Sequence, residues 1–205
     1  MSEYDLFKTG PLRFRNYNPS EHDEFFHTLY HSDPDISTSL RPSIPRPEDR
    51  EFTSALSKEL LENALLFAVI YDPDSYGMDY PLGTVFFSSS SPDMAHHRCS
   101  ELKITFPVEH RAIYEPQTID WALAWAFQGA DLYRVEANLS DSHESRILLY
   151  ETMGFTKEGT RRECFVGFRG RYSEARMSIL QNEWTSETSS PSPREQAATS
   201  NRISY

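Results

Sequence analysis

His96-His97-x-Cys99 is a tight grouping of metal-ligating side chains in this sequence. A structural zinc site takes four such ligands and a catalytic one takes three plus an open position. No second cluster completes a set here, because Cys164 is distant in sequence. A loop ahead of a strand accounts for the triplet, and no metal is expected. A serine hydrolase of the α/β type presents its nucleophile on a Gly-x-Ser-x-Gly elbow, which the sequence lacks. His110 and His143 could act as bases, since imidazole changes charge between about pH 5 and 8. A surface place suits either of them as well. Trp121 and Trp125, at i and i+4, read as helix packing.

The balance of charge narrows the partners. Twenty basic against 31 acidic residues give a formal charge of −11 in 205 residues. Between Thr185 and Tyr205 the charged residues are Glu187, Arg194, Glu195 and Arg202, which cancel, so the excess belongs to the rest of the chain. An acidic domain gains nothing from releasing counterions on a phosphate backbone, so nucleic acid is not an expected partner. Such a domain can draw in a cationic amine, although solubility alone also accounts for the charge. No apolar run approaches the roughly 18–20 residues of a membrane helix. Met1–Gly10, with Glu3 and Asp5 and no apolar stretch, does not read as a secretory signal. Two cysteines make no disulfide framework, and a cytoplasmic setting is expected.

Apolar residues make up 38% of the chain, with 13 Phe, 11 Tyr and 3 Trp, enough for a sizeable core. Residues 185–205 are rich in Ser, Thr and Pro and read as a disordered tail. The pattern divides the chain into a lead at 1–11, a domain at 12–184 and that tail at 185–205. Leu12–Arg15 alternates like a strand. A helix capped by Asn18 or Ser20 runs to about His31, with Phe25, Phe26, Leu29 and Tyr30 inward. The prolines of Asp33–Pro47 predict irregular chain. A second helix starts near Pro47, with Phe52, Ala55, Leu56 and Leu60 at helical spacing. Leu65–Tyr71, Leu82–Ser88 and Arg98–Phe106 read as strands. In the last of these Leu102, Ile104 and Phe106 take one face and Glu101, Lys103 and Thr105 the other. Pro107–Glu115 reads as irregular, and a buried helix follows from Pro116 to about Ala130. Tyr133–Leu139 is a strand. Asp141 is placed to cap a helix, with Glu144 three residues on, and Gly154 to end it. Strands at about Thr160–Phe168 and Ala175–Leu180, with a turn near Gly170, complete an α/β (α+β) order.

That order and the C-terminal half resemble the GNAT superfamily of N-acyltransferases, and within it the RimJ/RimL-like branch. The carrying residues are Tyr133-Arg134-Val135-Glu136-Ala137, then His143-x-x-Arg146-Ile147-x-Leu149-Tyr150-Glu151-x-x-Gly154-Phe155, then Glu158-Gly159 with Arg161-Arg162. Glu183-Trp184 closes the domain in the family manner. The likeness covers nearly all of residues 12–184 and is specific across 133–162. It implies a mixed, mostly antiparallel sheet flanked by helices, with a splayed strand pair forming a cleft for acetyl-CoA as cosubstrate. The implied activity is transfer of an acetyl group to a primary amine of a small molecule or a protein N-terminus, by a monomer or homodimer.

The resemblance also assigns residues. Acyl transfer needs a fixed thioester, a deprotonated amine, donors for the developing oxyanion and an acid for the departing thiolate. Tyr150 holds the family's general-acid position, with a satisfied core tyrosine as the other reading. Glu101 lies on the strand that carries a general base in several members, and could take the amine's proton through a water; a solvated strand carboxylate is the other reading. Ile104, Phe106 and Val108 would line the arm of the cofactor. Arg111, Ala112, Ile113, Tyr114, Glu115 and Pro116 occupy the place of the phosphate loop, where successive backbone N–H groups and a helix dipole receive a pyrophosphate. The family's two loop glycines are Tyr114 and Pro116 here, and Pro116 lacks an N–H. His143 stands where the family has an asparagine that contacts the cofactor arm, and Arg146, where the family has a small residue, could meet a CoA phosphate, with a solvated helix charge as the other reading. A GNAT-fold binding protein that has lost CoA is therefore the rival expectation. Specificity would come from Asp33–Pro47, Asp72–Pro81 and Val166–Arg171, because loops carry it.

Overall fold

The computed structural model describes residues 8–40, 48–74, 80–90, 92–167 and 170–184. The expected tail at 185–205 lies outside them, as do parts of all three expected specificity loops. Among the described residues, eight strands form one sheet in the order β1-β2-β3-β4-β5-β6-β8-β7. The strands are β1 (Lys8–Thr9), β2 (Leu12–Asn16), β3 (Ala64–Tyr71), β4 (Pro81–Ser88), β5 (Cys99–Thr105), β6 (Arg134–Ser140), β7 (Thr156–Gly167) and β8 (Gly170–Leu180). Every neighbouring pair is antiparallel except β5 and β6. The helices are α1 (Pro19–Ser32), α2 (Pro34–Leu40), α3 (Arg50–Glu62), α4 (Val108–Ala124) and α5 (Glu144–Thr152). This is the mixed α/β class that the sequence implies. Among the described residues no helix is long and apolar enough to cross a membrane.

Alternation along the strands sends side chains to two cores. On one face, Leu102 and Ile104 of β5, Val135 and Ala137 of β6, and Met177 and Ile179 of β8 pack with Ile119, Trp121 and Leu123 of α4 and Tyr150 of α5. Phe14 stacks on Trp121 with ring centroids 3.6 Å apart, so that tryptophan packs as expected. On the other face, Phe67, Val69 and Tyr71 of β3 and Phe86 of β4 receive Phe26, Leu29 and Tyr30 of α1, Ile36 and Leu40 of α2, and Leu56 and Leu60 of α3. Polar bonds fix α1 against α3: the Asp23 carboxylate accepts from Tyr17 Oη, Ser54 Oγ and Ser57 Oγ at 2.7, 2.7 and 2.9 Å.

The structure corrects several sequence expectations. α2 forms inside the proline-rich stretch expected to be irregular, because its proline sits at the first helical position, where the missing N–H costs nothing. Ala55 faces solvent, and Thr53 and Ser57 are buried in its place. A 3-10 turn occupies Pro92–His97. α4 starts at Val108, not at Pro116, so residues 108–115 are helical and Pro116 lies inside the helix. Pro116 gives no bond to the Ala112 carbonyl, a loss that buried packing on both sides of it offsets. His143, rather than Asp141, takes the N-cap place of α5, with no side-chain cap bond. Asp141 is drawn away because its Oδ1 accepts from the Ser173 N–H at 3.0 Å. β7 begins at Thr156, ahead of its expected start.

Candidate active site

The exception to antiparallel pairing builds the site. β5 and β6 pair only at Cys99↔Arg134, Ser100↔Val135 and Glu101↔Glu136. Beyond those residues each strand continues without the other: Leu102–Thr105 pair with β4, and Ala137–Ser140 with β8. The two strands thus diverge toward their carboxyl ends. Open α/β sheets bind ligands at such points. Only Phe106 and Pro107 separate β5 from α4, and only Asp141–His143 separate β6 from α5. Both helix N-termini therefore stand at the mouth of the opening. The N-cap residue of α4, Pro107, makes no side-chain cap bond, and the first turn of a helix carries backbone donors of the kind that receive anions.

Close backbone approach shapes the β5 side of this mouth. A Cβ on Gly83 of β4 would overlap the Thr105 carbonyl oxygen and the Phe106 ring. Glycine at that position lets the end of β5 fold down onto the sheet, with Phe106 buried. On the other side, Gly154, at φ +95°, ends α5. The Phe155 N–H bonds the Tyr150 carbonyl at 2.9 Å and the Gly154 N–H bonds the Glu151 carbonyl at 3.0 Å. This paired closure of a helix end on glycine holds the Tyr150 backbone in place.

Three expected site residues meet inside the opening. Arg146 of α5 reaches Glu115 of α4 with its Nε, 2.9 Å from Oε1 and 3.2 Å from Oε2. Its Nη2 bonds the same carboxylate and also the Ile104 carbonyl of β5, the latter at 3.2 Å. Tyr150 Oη donates to Glu115 Oε1 at 3.5 Å. The Glu115 side chain is 1% exposed and the Arg146 side chain 17%. Burial first, and then the Glu115 charge, push the Tyr150 hydroxyl well above the ordinary phenol range, so it keeps its proton. Burial pulls the Arg146 guanidinium down, but the facing carboxylate outweighs this and raises it.

The other expected residues scatter. Ile104 and Phe106 bury their side chains in the core and turn only carbonyls outward, to Arg146 and Arg111. Arg111 pairs with Asp33 at the end of α1, at 3.1 Å. Tyr114 is buried and donates to Asp72 Oδ2 at 2.9 Å. Val108, Ala112 and Ile113 are exposed along α4, and Pro116 is half-buried. His143 is half-buried at the start of α5. Glu101 lies on the sheet face opposite Tyr150, by the alternation of β5. There it accepts from Asn138 Nδ2 at 3.0 Å and stands 3.8 Å from Lys103 Nζ.

That second face is polar around Glu101. By register it carries Glu136 and Asn138 of β6 and Glu174 and Arg176 of β8, and α2 lies against β5 and β7 beside it. Asn138 is the residue that sequence reasoning missed there. Its place on the polar face of an alternating strand was legible, but its partner was not. For the Glu115–Arg146 pair only half a signal existed: Arg146 stands where the resemblance calls for a small residue, whereas Glu115 fills a position that the pattern leaves open.

None of the protein-family models matches the chain. Among solved structures, the chain is similar to spermidine N-acetyltransferase from Vibrio cholerae in complex with CoA and spermine. That likeness has 23% identity and a TM-score of 0.69, over 85% of this chain and 98% of that one. A dodecameric structure of the same Vibrio cholerae enzyme in an intermediate state gives 23% identity and a TM-score of 0.69, over 87% and 98%. A chimera of the Vibrio cholerae spermidine N-acetyltransferase with a second acetyltransferase gives 22% and 0.68, over 85% and 98%. At this identity the likeness is one of fold, and the fold is the GNAT arrangement that the sequence resemblance implies.

Proposed function

We propose that the chain is an acetyl-CoA-dependent N-acetyltransferase acting on a primary amine of a small molecule or a protein N-terminus, within the RimJ/RimL-like branch. The observation that carries this reading is the β5–β6 divergence, with the N-terminus of α4 at its mouth and Tyr150 on its inner wall. These residues fit the cosubstrate at its phosphate end, where the first turn of α4 offers backbone donors. The thioester of acetyl-CoA supplies the activated acyl group. The unpaired edge of Leu102–Thr105 holds the extended arm by backbone bonds and stabilises the oxygen on which charge develops. Tyr150 gives its proton to the departing thiolate, and Glu101, oriented by Asn138, takes the amine's proton through a water. Because Glu101 and Tyr150 stand on opposite faces, the amine and the leaving group have separate sides.

The acidic balance of the chain favours a cationic acceptor, and polyamines of the kind bound by the Vibrio cholerae enzyme come first in a screen. Residues 12–184 form the transferase domain of this reading. Free Cys99 and Cys164 suit a reducing, cytoplasmic setting. A panel of amines with acetyl-CoA, read by release of free thiol, tests the activity. Acetyl-CoA at 100 times its dissociation constant should add about 2.7 kcal/mol of stability. The absence of both thiol release and a stability gain at millimolar acetyl-CoA would sink the reading. One observation favours a second reading, a GNAT-fold binding protein without CoA: the Arg146 bond to the Ile104 carbonyl uses an acceptor on the arm's path.

A further inference from the structure

We infer that Arg146 and Glu115 are a built-in competitor for the acyl donor, a buried ion pair strung across the β5–β6 opening that must part before the donor's arm can seat. The inference rests on the proposed acetyl-CoA site and concerns what sets its affinity. The pair joins the three elements that bound the opening, because Arg146 belongs to α5, Glu115 to α4 and the bonded carbonyl to β5. Ile104 lies in the stretch of β5 that has left β6. Its carbonyl is thus an edge acceptor that an amide of the arm would need, and Arg146 holds it.

The pair also holds the candidate acid. The Tyr150 hydroxyl points at Glu115 Oε1, so its proton is aimed at the carboxylate and not at the path of a thiolate. Parting the pair frees the Ile104 carbonyl and the Tyr150 hydroxyl in one movement, and donor binding and acid availability become a single event. A carboxylate 1% exposed cannot be left without a partner at low cost. Donor binding therefore has to offset the loss of the pair, and the affinity of the unaltered chain is lowered by that amount. The family pattern, with a small residue in place of Arg146, has no such cost.

Calorimetric titration of CoA into the full chain tests this. Arg146→Met with Glu115→Gln removes both charges while keeping volume, and should bind CoA at least ten-fold more tightly than the unaltered chain. Arg146→Lys, which keeps the charge but loses the fork, should fall between them. If the double variant does not fold, Glu115→Gln alone carries the test, with at least three-fold tighter binding expected. Equal or weaker binding by the folded variants overturns the inference. Acetyl transfer by the unaltered chain is read separately. A tighter double variant beside an unaltered chain that transfers nothing at saturating acetyl-CoA keeps the inference and ends the proposed activity. Transfer by a chain whose affinity the variants do not exceed does the reverse. No CoA binding by any form ends both.

Discussion

At the scale of single residues, the proposed reaction depends on what Tyr150 can give away. Its hydroxyl is 1% exposed with its residue, lies 3.5 Å from a carboxylate and keeps its proton through neutral pH. A protonated phenol beside the opening suits proton donation and does not suit attack. Tyr150→Phe should lower turnover by about 10²-fold and leave CoA affinity within two-fold, because the ring still fills the same core. Steady-state rates with calorimetric affinities check this, and an unchanged rate removes Tyr150 from the reaction. The residue type and spacing of Tyr150 were legible from the pattern Leu149-Tyr150-Glu151-x-x-Gly154-Phe155. Its partner was not. Glu115 reads in the sequence as a loop residue near phosphates, and only a helix running through Pro116 turns it inward to meet α5.

At the scale of elements, two places make testable demands. His22 of α1 is buried, with Nδ1 accepting from the Asn18 N–H at 2.8 Å and Nε2 set 2.9 Å from Tyr71 Oη. Nε2 must then carry the proton, and the ring is neutral. Burial first, and Arg15 with it, lower its basicity, against the opposing charges of Glu21 and Asp23. The unfolded chain takes up the proton more readily, so this contribution to stability is fully present above about pH 6.5 and is lost as pH falls below it. Urea unfolding between pH 7.5 and 5 should show a loss that His22→Asn reduces; equal slopes would contradict it. Gly83 is the second place. Gly83→Ala drives a methyl into the Thr105 carbonyl and the Phe106 ring, and should cost about 1–3 kcal/mol. It should also weaken CoA binding, because it lifts the end of β5 that forms one wall of the opening. Normal stability with normal affinity would show that this wall is not set by the glycine.

At the scale of the whole molecule, a formal charge of −11 acts at a distance. With a cationic amine as acceptor, kcat/KM should fall as salt rises from low ionic strength to about 0.15 M, because the Debye length shrinks to about 8 Å. The Michaelis constant for a neutral-pH uncharged amine analogue should change little over the same range. A salt-independent rate for a polyamine would mean that the charge serves solubility alone. The sequence by itself determined the strand faces, the helix-ending glycine at 154 and the fold class, because those depend on periodicity and local backbone preference. It placed Glu101 on the polar face of its strand and Tyr150 in the helix that Gly154 ends. It misplaced the start of α4, since a proline in a helix interior is locally unfavourable and only tertiary burial of Tyr114, Thr118 and Trp121 makes it tolerable. The tertiary structure alone decided that Arg146 bonds Glu115 and the Ile104 carbonyl. Those three residues lie on separate elements, and their meeting depends on how far β5 and β6 diverge, a quantity that no local pattern carries.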